Sequence, residues 1–330
     1  MFSSCSVQEK NNAVDSFPVL TGDYLGQSLP GNDPEVFAPG IISTGIYTRD
    51  IAMTPDKKEI YFCLVLPNYS FSTILFTKQV DGTWTEPEVV PHMEDPDILN
   101  LEPFISPDGQ KFFFLSTRPD TTKGETTGDQ DIWIMNRNGE SWDKPYNPGE
   151  PVNSEQAEFF PSVTNDGTIY FSRAEPNSSL HYIYRSRFIN GKYITPERLP
   201  DQVNSGANQY NAFIAPDESY IIVPTTGRKD SYGGCDYYIV FRNEKDNWSE
   251  PVNMGEKINT MGSQEYSPYV SPDGKYFFFM STRLLSEEKA PVSLTYNIIK
   301  KINSNPQNGN PCIYWISTSI IEELKPVTFE

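Results

Sequence analysis

The sequence predicts an all-β protein, a β-propeller of four-stranded blades with five blades closed into one ring. Three observations carry this. A Pro-Asp-Gly-like turn followed by an aromatic strand occurs five times, its aspartates being Asp56, Asp108, Asp166, Asp217 and Asp273, spaced by 52, 58, 51 and 56 residues. An aromatic residue three before a proline keeps the same beat, at Trp84, Trp142, Tyr193 and Trp248, 58, 51 and 55 apart. A Val/Ile-Asn pair follows at Asn153, Asn204 and Asn259. Markers recurring in one order at a period near 50 residues are the signature of stacked supersecondary units.

The turns fix the first two strands of each unit. The copies run Thr54–Phe62, Ser106–Phe114, Thr164–Phe171, Ala215–Val223 and Ser271–Phe279. In the second copy Gly109 supplies the positive φ of a tight turn. Its strands are expected at Glu102–Ser106, Lys111–Ser116, Asp131–Met135 and Trp142–Tyr146. Residues three and five before each turn aspartate are mostly apolar, among them Met53, Ile105, Val163, Ile51 and Ala212. Alternation at period two places them between neighbouring sheets. A four-stranded sheet cannot bury both faces alone, so the units pack on each other, and a ring leaves few edges open.

The ring is expected to close through its ends. Pro34–Ser43 has the texture of an outer strand and precedes the first unit. Glu35–Pro39 is therefore predicted to pair with Ile313–Ser317, with Ile320–Leu324 as the competing strand. One insertion departs from the pattern. Leu294, Ile298 and Ile302 recur at helical spacing, which predicts a short helix near 293–303 capped by Ser293, with Lys300 and Lys301 at its C-terminal end, the shorter alternation of Val292, Leu294 and Tyr296 offering an edge strand as the alternative.

Composition narrows function. The chain has 330 residues, 44 acidic against 26 basic, for a net charge of −18. Nucleic acid is an unsuitable partner, since phosphate binding draws on clustered Lys and Arg. The charge favours a soluble, monomeric protein. Cys63, Cys235 and Cys312 lie in or beside apolar runs, as buried free thiols do. Cys5 differs. Phe2-Ser3-Ser4-Cys5-Ser6 resembles the end of a bacterial lipoprotein signal, although the basic start and apolar middle of such a signal are not in the sequence. Residues 1–22 are read as a polar tail and lipid tether, with the propeller over 23–330, and the location as extracytoplasmic.

The Ser-Pro-Asp-Gly turn, the aromatic strand, then Ser-Thr-Arg and Asp-Ile-Trp together resemble the repeat of TolB-like, WD-type propellers of bacteria, over residues 33 to 330. The resemblance implies the fold and little about function, and it makes six blades the rival to five. Two departures stand out. The first copy has Leu66-Pro67 where others have Ser-Thr-Arg, and the last has Cys312 where others place Asp131 or Asp236.

Propeller ligands gather where the inner strands enter the channel. Six residues before the turn aspartates stand Asp50, Glu102, Phe160, Asn211 and Ser267; eight before stand Thr48, Asn100, Glu158, Gln209 and Glu265. With Arg49 beside them, these acids and amides are the candidate ligand-binding ring. No cofactor is predicted; Ca²⁺, which takes oxygen ligands, is the metal such a ring would suit. Arg118, Arg173, Arg228 and Arg283, each 55 apart, are the second candidate set. They would form a basic collar for an anionic sugar, or tie each blade to its third-strand Asp131 or Asp236. One copy per blade favours the structural role. Motifs for nucleophilic, zinc or phosphate chemistry do not occur. The expected function is a binding or scaffold propeller for a glycan or a partner protein. The alternative is a glycoside hydrolase or lyase with Asp50 and Glu102 as its carboxylates.

Overall fold

The computed structural model describes residues 16–121, 124, 128–284, 293–327 and 329, and its strands form a five-bladed β-propeller of antiparallel sheets. Cys5 and the first part of the tail lie outside the described residues. From the channel outward, blade one is Tyr47–Met53, Glu59–Val65 and Ser72–Val80, with Thr83–Trp84 and Glu88–Val89 at its rim. Blade two is Asn100–Ile105, Lys111–Ser116, Asp131–Asn138 and Ser141–Trp142. Blade three is Glu158–Val163, Ile169–Ala174, His181–Ser186 and Glu197–Arg198. In blade four the inner strand is split into Asn208–Gln209 and Phe213–Ile214, followed by Tyr220–Thr226, Cys235–Phe241 and Val252–Asn253.

Blade five closes the ring as expected. Glu265–Val270, Tyr276–Ser281 and Cys312–Ser317 come from the end of the chain, and Glu35–Val36 from its beginning is the fourth strand. Glu35 lies opposite Trp315 and Val36 opposite Tyr314, and Phe37 N–H donates to the Ile313 carbonyl at 2.8 Å. Such pairing covers the edge that an open sheet would expose. The competing segment is no strand: Ser319–Glu323 is a short helix. The last residues of the predicted tail are already docked, since Trp84 Nε1 donates to the Gly22 carbonyl at 2.7 Å.

The repeated markers have distinct jobs. In the turns, Ser106 Oγ donates to Asp108 and accepts from Lys111 N–H at 2.9 Å, and Gly109 has φ of 71°. The aromatic of the second marker packs into the seam to the preceding blade. Trp142 Nε1 donates to Tyr61 OH at 2.9 Å, while Arg137 holds Glu59 through two bonds of 2.7 Å. The asparagines clamp third strands. Asn259 accepts from Tyr237 N–H at 2.8 Å and donates to its carbonyl at 3.0 Å, and Asn153 and Asn204 do the same at Ile132 and Ile183.

The insertion does carry a helix, Tyr296–Asn303, but its cap is Thr295, which accepts from Ile298 N–H at 3.3 Å, rather than Ser293. Ile298 and Ile302 are half-buried, whereas Leu294 precedes the helix and is exposed. Among the described residues no helix is long and apolar enough to cross a membrane. Cys63, Cys235 and Cys312 are buried free thiols.

Candidate functional site

Each inner strand is kinked at the position six before its turn aspartate. Asp50, Glu102, Phe160, Asn211 and Ser267 all have positive φ, between 51° and 66°. The ladders skip a register there, between Arg49 and Ile51 in blade one and between Leu101 and Phe104 in blade two. Left-handed backbone at a non-glycine residue is a held conformation, and the extra residue of a bulge re-aims the side chains beside it. Strict alternation therefore fails at the one point that matters most for a site.

Below the bulges the channel is plugged. Arg49 Nε donates to Asp50 at 2.9 Å, and Nη2 donates to Glu102 at 2.8 Å and to Ser267 Oγ at 3.3 Å. Asp50 also accepts from Glu102 N–H at 3.2 Å, Glu102 accepts from Phe160 N–H at 2.7 Å, and Ser267 Oγ donates to Asp50. The plug ties blades five, one, two and three. One guanidinium thus binds both carboxylates named as catalytic candidates, all three groups being at most 5% exposed. Burial, opposed by Arg49 and reinforced by Asp50, lifts the Glu102 carboxyl to about 7.

Above the plug lies a mouth of about 440 Å³. Its wall comes largely from the position seven before the turn aspartate: Arg49, Leu101, Phe159, Tyr210 and Tyr266. Rings follow one another around it. Phe159 meets His181 edge-on at 5.2 Å, His181 meets Tyr210 at 6.4 Å, and Tyr210 meets Tyr266 at 6.5 Å. The arc continues through Arg49, 4.9 Å from the centre of the Tyr266 ring, to Tyr69, whose hydroxyl takes Arg49 Nη1 at 3.0 Å. Blade two completes the rim with Leu99, Leu101, Leu115 and Gln130. Burial lowers the His181 ring, opposed by Asn208, and raises the Tyr210 hydroxyl. Both are neutral near pH 7.

The mouth contains Arg49, Glu102 and Asn211 of the candidates. Asp50 sits beneath, in a closed space shared with Phe160 and Ser267. Glu158 and Glu265 are fully buried and bind the linker entering their blade and the neighbouring strand, Glu158 through Ser154 and Arg173, Glu265 through Ser263 and Ser281. The missed residues are Phe159, Tyr210, Tyr266, Tyr69 and His181. The column seven before the turn, aromatic in three of five copies, was the signal available for the first three.

The arginine ladder binds backbone. Arg118 donates to the His92 carbonyl at 3.2 Å and to Asn100 at 2.8 Å. Arg173 reaches the Val152 carbonyl at 2.9 Å, Arg228 the Ser205 carbonyl at 3.5 Å, and Arg283 the Ile258 carbonyl at 2.5 Å. Each ties the linker entering its blade to that blade, and each stacks on a strand aromatic, as Arg283 does on Tyr314 at 4.7 Å. The expected partners were different: Asp131 accepts from Asn147 and Asp236 from Asn253. Among the described residues no group of three or more His, Cys, Asp or Glu could hold a metal ion.

No family model and no curated protein matches the chain. Solved structures similar to it include TolB from Acinetobacter baumannii, at 15% identity and a TM-score of 0.46, covering 82% of this chain and 54% of that one. An oligogalacturonate lyase in complex with manganese has 11% identity and a TM-score of 0.42, covering 82% of this chain and 65% of that one. The oligogalacturonate lyase of Vibrio parahaemolyticus gives 11% identity, a TM-score of 0.42, and coverage of 81% and 64%. The chain therefore spans less than two thirds of the length of these structures. The five-blade architecture rests on the strand pairing described above.

Proposed function

We propose that the protein is an extracytoplasmic binding propeller whose ligand, a glycan, sits in the aromatic mouth. The observation that carries this is the arc of Phe159, His181, Tyr210 and Tyr266 above a plug whose arginine and carboxylates bind one another. Aromatic faces in a concave site with few polar groups suit ring-shaped, amphipathic ligands. The protein works as a monomer held by a lipid on Cys5. A glycan array probed with the folded protein tests the ligand, and Tyr210→Ala should abolish whatever binds. An array that stays blank would refute it. Incorporation of labelled fatty acid, lost in Cys5→Ser, tests the anchor.

A second reading rests on Glu102. A carboxyl lifted to about 7 at the floor of a pocket is placed as a general acid would be. It would make the protein a glycoside hydrolase or lyase. Turnover of any oligosaccharide in a substrate screen, lost in Glu102→Gln, would favour it over simple binding.

A further inference from the structure

We propose that the mouth selects an uncharged sugar and that Asn211 reads its hydroxyl groups. This rests on the glycan assignment and narrows it. Two independent observations carry it, one of charge and one of an unused amide.

The charge observation concerns arginine. Arg49 is the cationic residue of the mouth lining, His181 being neutral, and its nitrogens are taken by Asp50, Glu102, Ser267 and Tyr69. The four ladder arginines spend their donors on linkers and their own blades. A sugar carboxylate entering the mouth would find no free guanidinium for bidentate pairing. It would also approach Glu102, with Asp50 just beneath. Two carboxylates against one guanidinium make this floor neutral to negative, and a second anion in a low-dielectric site is repelled.

The amide observation concerns the bulge ring. Asp50, Glu102 and Ser267 use their side chains within the plug, and the Phe160 side chain has no polar group to offer. Asn211 is the exception. Its backbone N–H is satisfied by Ser172 Oγ at 2.9 Å, yet its side-chain amide makes no hydrogen bond among the described residues. The residue is 3% exposed and lines the mouth rather than the closed space below. Neither amide atom is sealed off as a buried unpartnered group, so the small area the residue keeps exposed opens to the mouth, where a ligand or water can bond it. An amide offers one acceptor and two donors, the complement of adjacent hydroxyls, each of which donates and accepts. The left-handed backbone, φ 54°, sets the direction in which its Cβ leaves the strand.

The test uses an array of neutral hexose, N-acetylhexosamine and uronate oligosaccharides of equal length, then calorimetry with the strongest neutral binder. Asn211→Gly removes the amide while tolerating the positive φ, and Asn211→Asp keeps the shape but adds charge. Neutral sugars should outbind uronates, and both variants should lose on the order of tenfold in affinity, with Tm unchanged in Asn211→Gly. Wild-type affinity in Asn211→Gly would overturn the role of Asn211. Uronates outbinding neutral sugars, with binding lost in Tyr210→Ala, would overturn the selectivity and leave the glycan assignment standing. A blank array would remove both.

Discussion

Replacing Phe37 by alanine tests how the ring is closed. Phe37 is fully buried, 5.0 Å from the Phe278 ring and 5.1 Å from Trp315, and its N–H bonds the Ile313 carbonyl. It is the anchor of a closing strand that pairs through only Glu35 and Val36. Truncating a buried Phe costs about 3–5 kcal/mol through lost transfer energy and the cavity left behind. Unfolding entropy of roughly 2.1 cal/mol/K per residue implies that 1 kcal/mol moves Tm by about 1.5 °C in a chain this long, if it unfolds as one unit. Phe37→Ala should therefore lower Tm by about 4–8 °C. Size-exclusion chromatography should also show self-association as the Cys312–Ser317 strand loses its cover. Ile299→Ala, on the exposed face of the insertion helix, is the control and should change neither readout. Equal melting of Phe37→Ala and wild type would refute closure by the N-terminal strand, as would a stable monomer from a chain beginning at Gly45.

Three further outcomes are expected. Arg283→Ala should cost about 1.5–3 kcal/mol, the range for charge-assisted bonds, because the Ile258 carbonyl loses its donor; calorimetry should meanwhile find ligand affinity unchanged. Asn259→Ala strands the N–H of Tyr237, whose carbonyl keeps the Met254 N–H at 3.1 Å, and should lower the denaturant midpoint by more than Asn253→Ala does. Glu102 contributes to the pH dependence, beside Glu158 and Glu265, raised likewise by burial, and His181, lowered by it. The Glu102 carboxyl is raised in the folded protein, so the folded state binds its proton more tightly, and this stabilisation is full below about 4.5 and lost as pH rises to about 7. Across that window the denaturant midpoint of wild type should fall relative to that of Glu102→Gln, and a constant difference between the two would refute the shift.

Much of the fold was legible because propeller repeats write their turns into sequence. Each Asp-turn pairs a hydroxyl, an aspartate and a positive φ within a few residues, so local chemistry announces the blade. The closing strand was legible for a related reason, since an outer strand without its blade must find one elsewhere. The site was harder. Period-two reasoning put the residues six and eight before the turn on one face, but the bulges at Asp50, Glu102, Phe160, Asn211 and Ser267 break the alternation. That turned Phe159, Tyr210 and Tyr266 into the mouth and sent Asp50 beneath it. Asp and Asn tolerate left-handed backbone, whereas Glu102 and Phe160 gave no such hint. The arginine partners escaped for another reason: a backbone carbonyl in a linker has no residue signature, so charge matching pointed to Asp131 and Asp236 instead.

A crystal structure of the protein with a neutral oligosaccharide bound is the most direct measurement of what the mouth is for. A sugar ring should lie against Tyr210 and Tyr266, with hydroxyls about 2.7–3.2 Å from the Asn211 amide and the Arg49 plug intact beneath. A sugar lodged at the opposite end of the channel, among Met53, Phe104 and Tyr269, with only solvent in the mouth, would contradict the assignment.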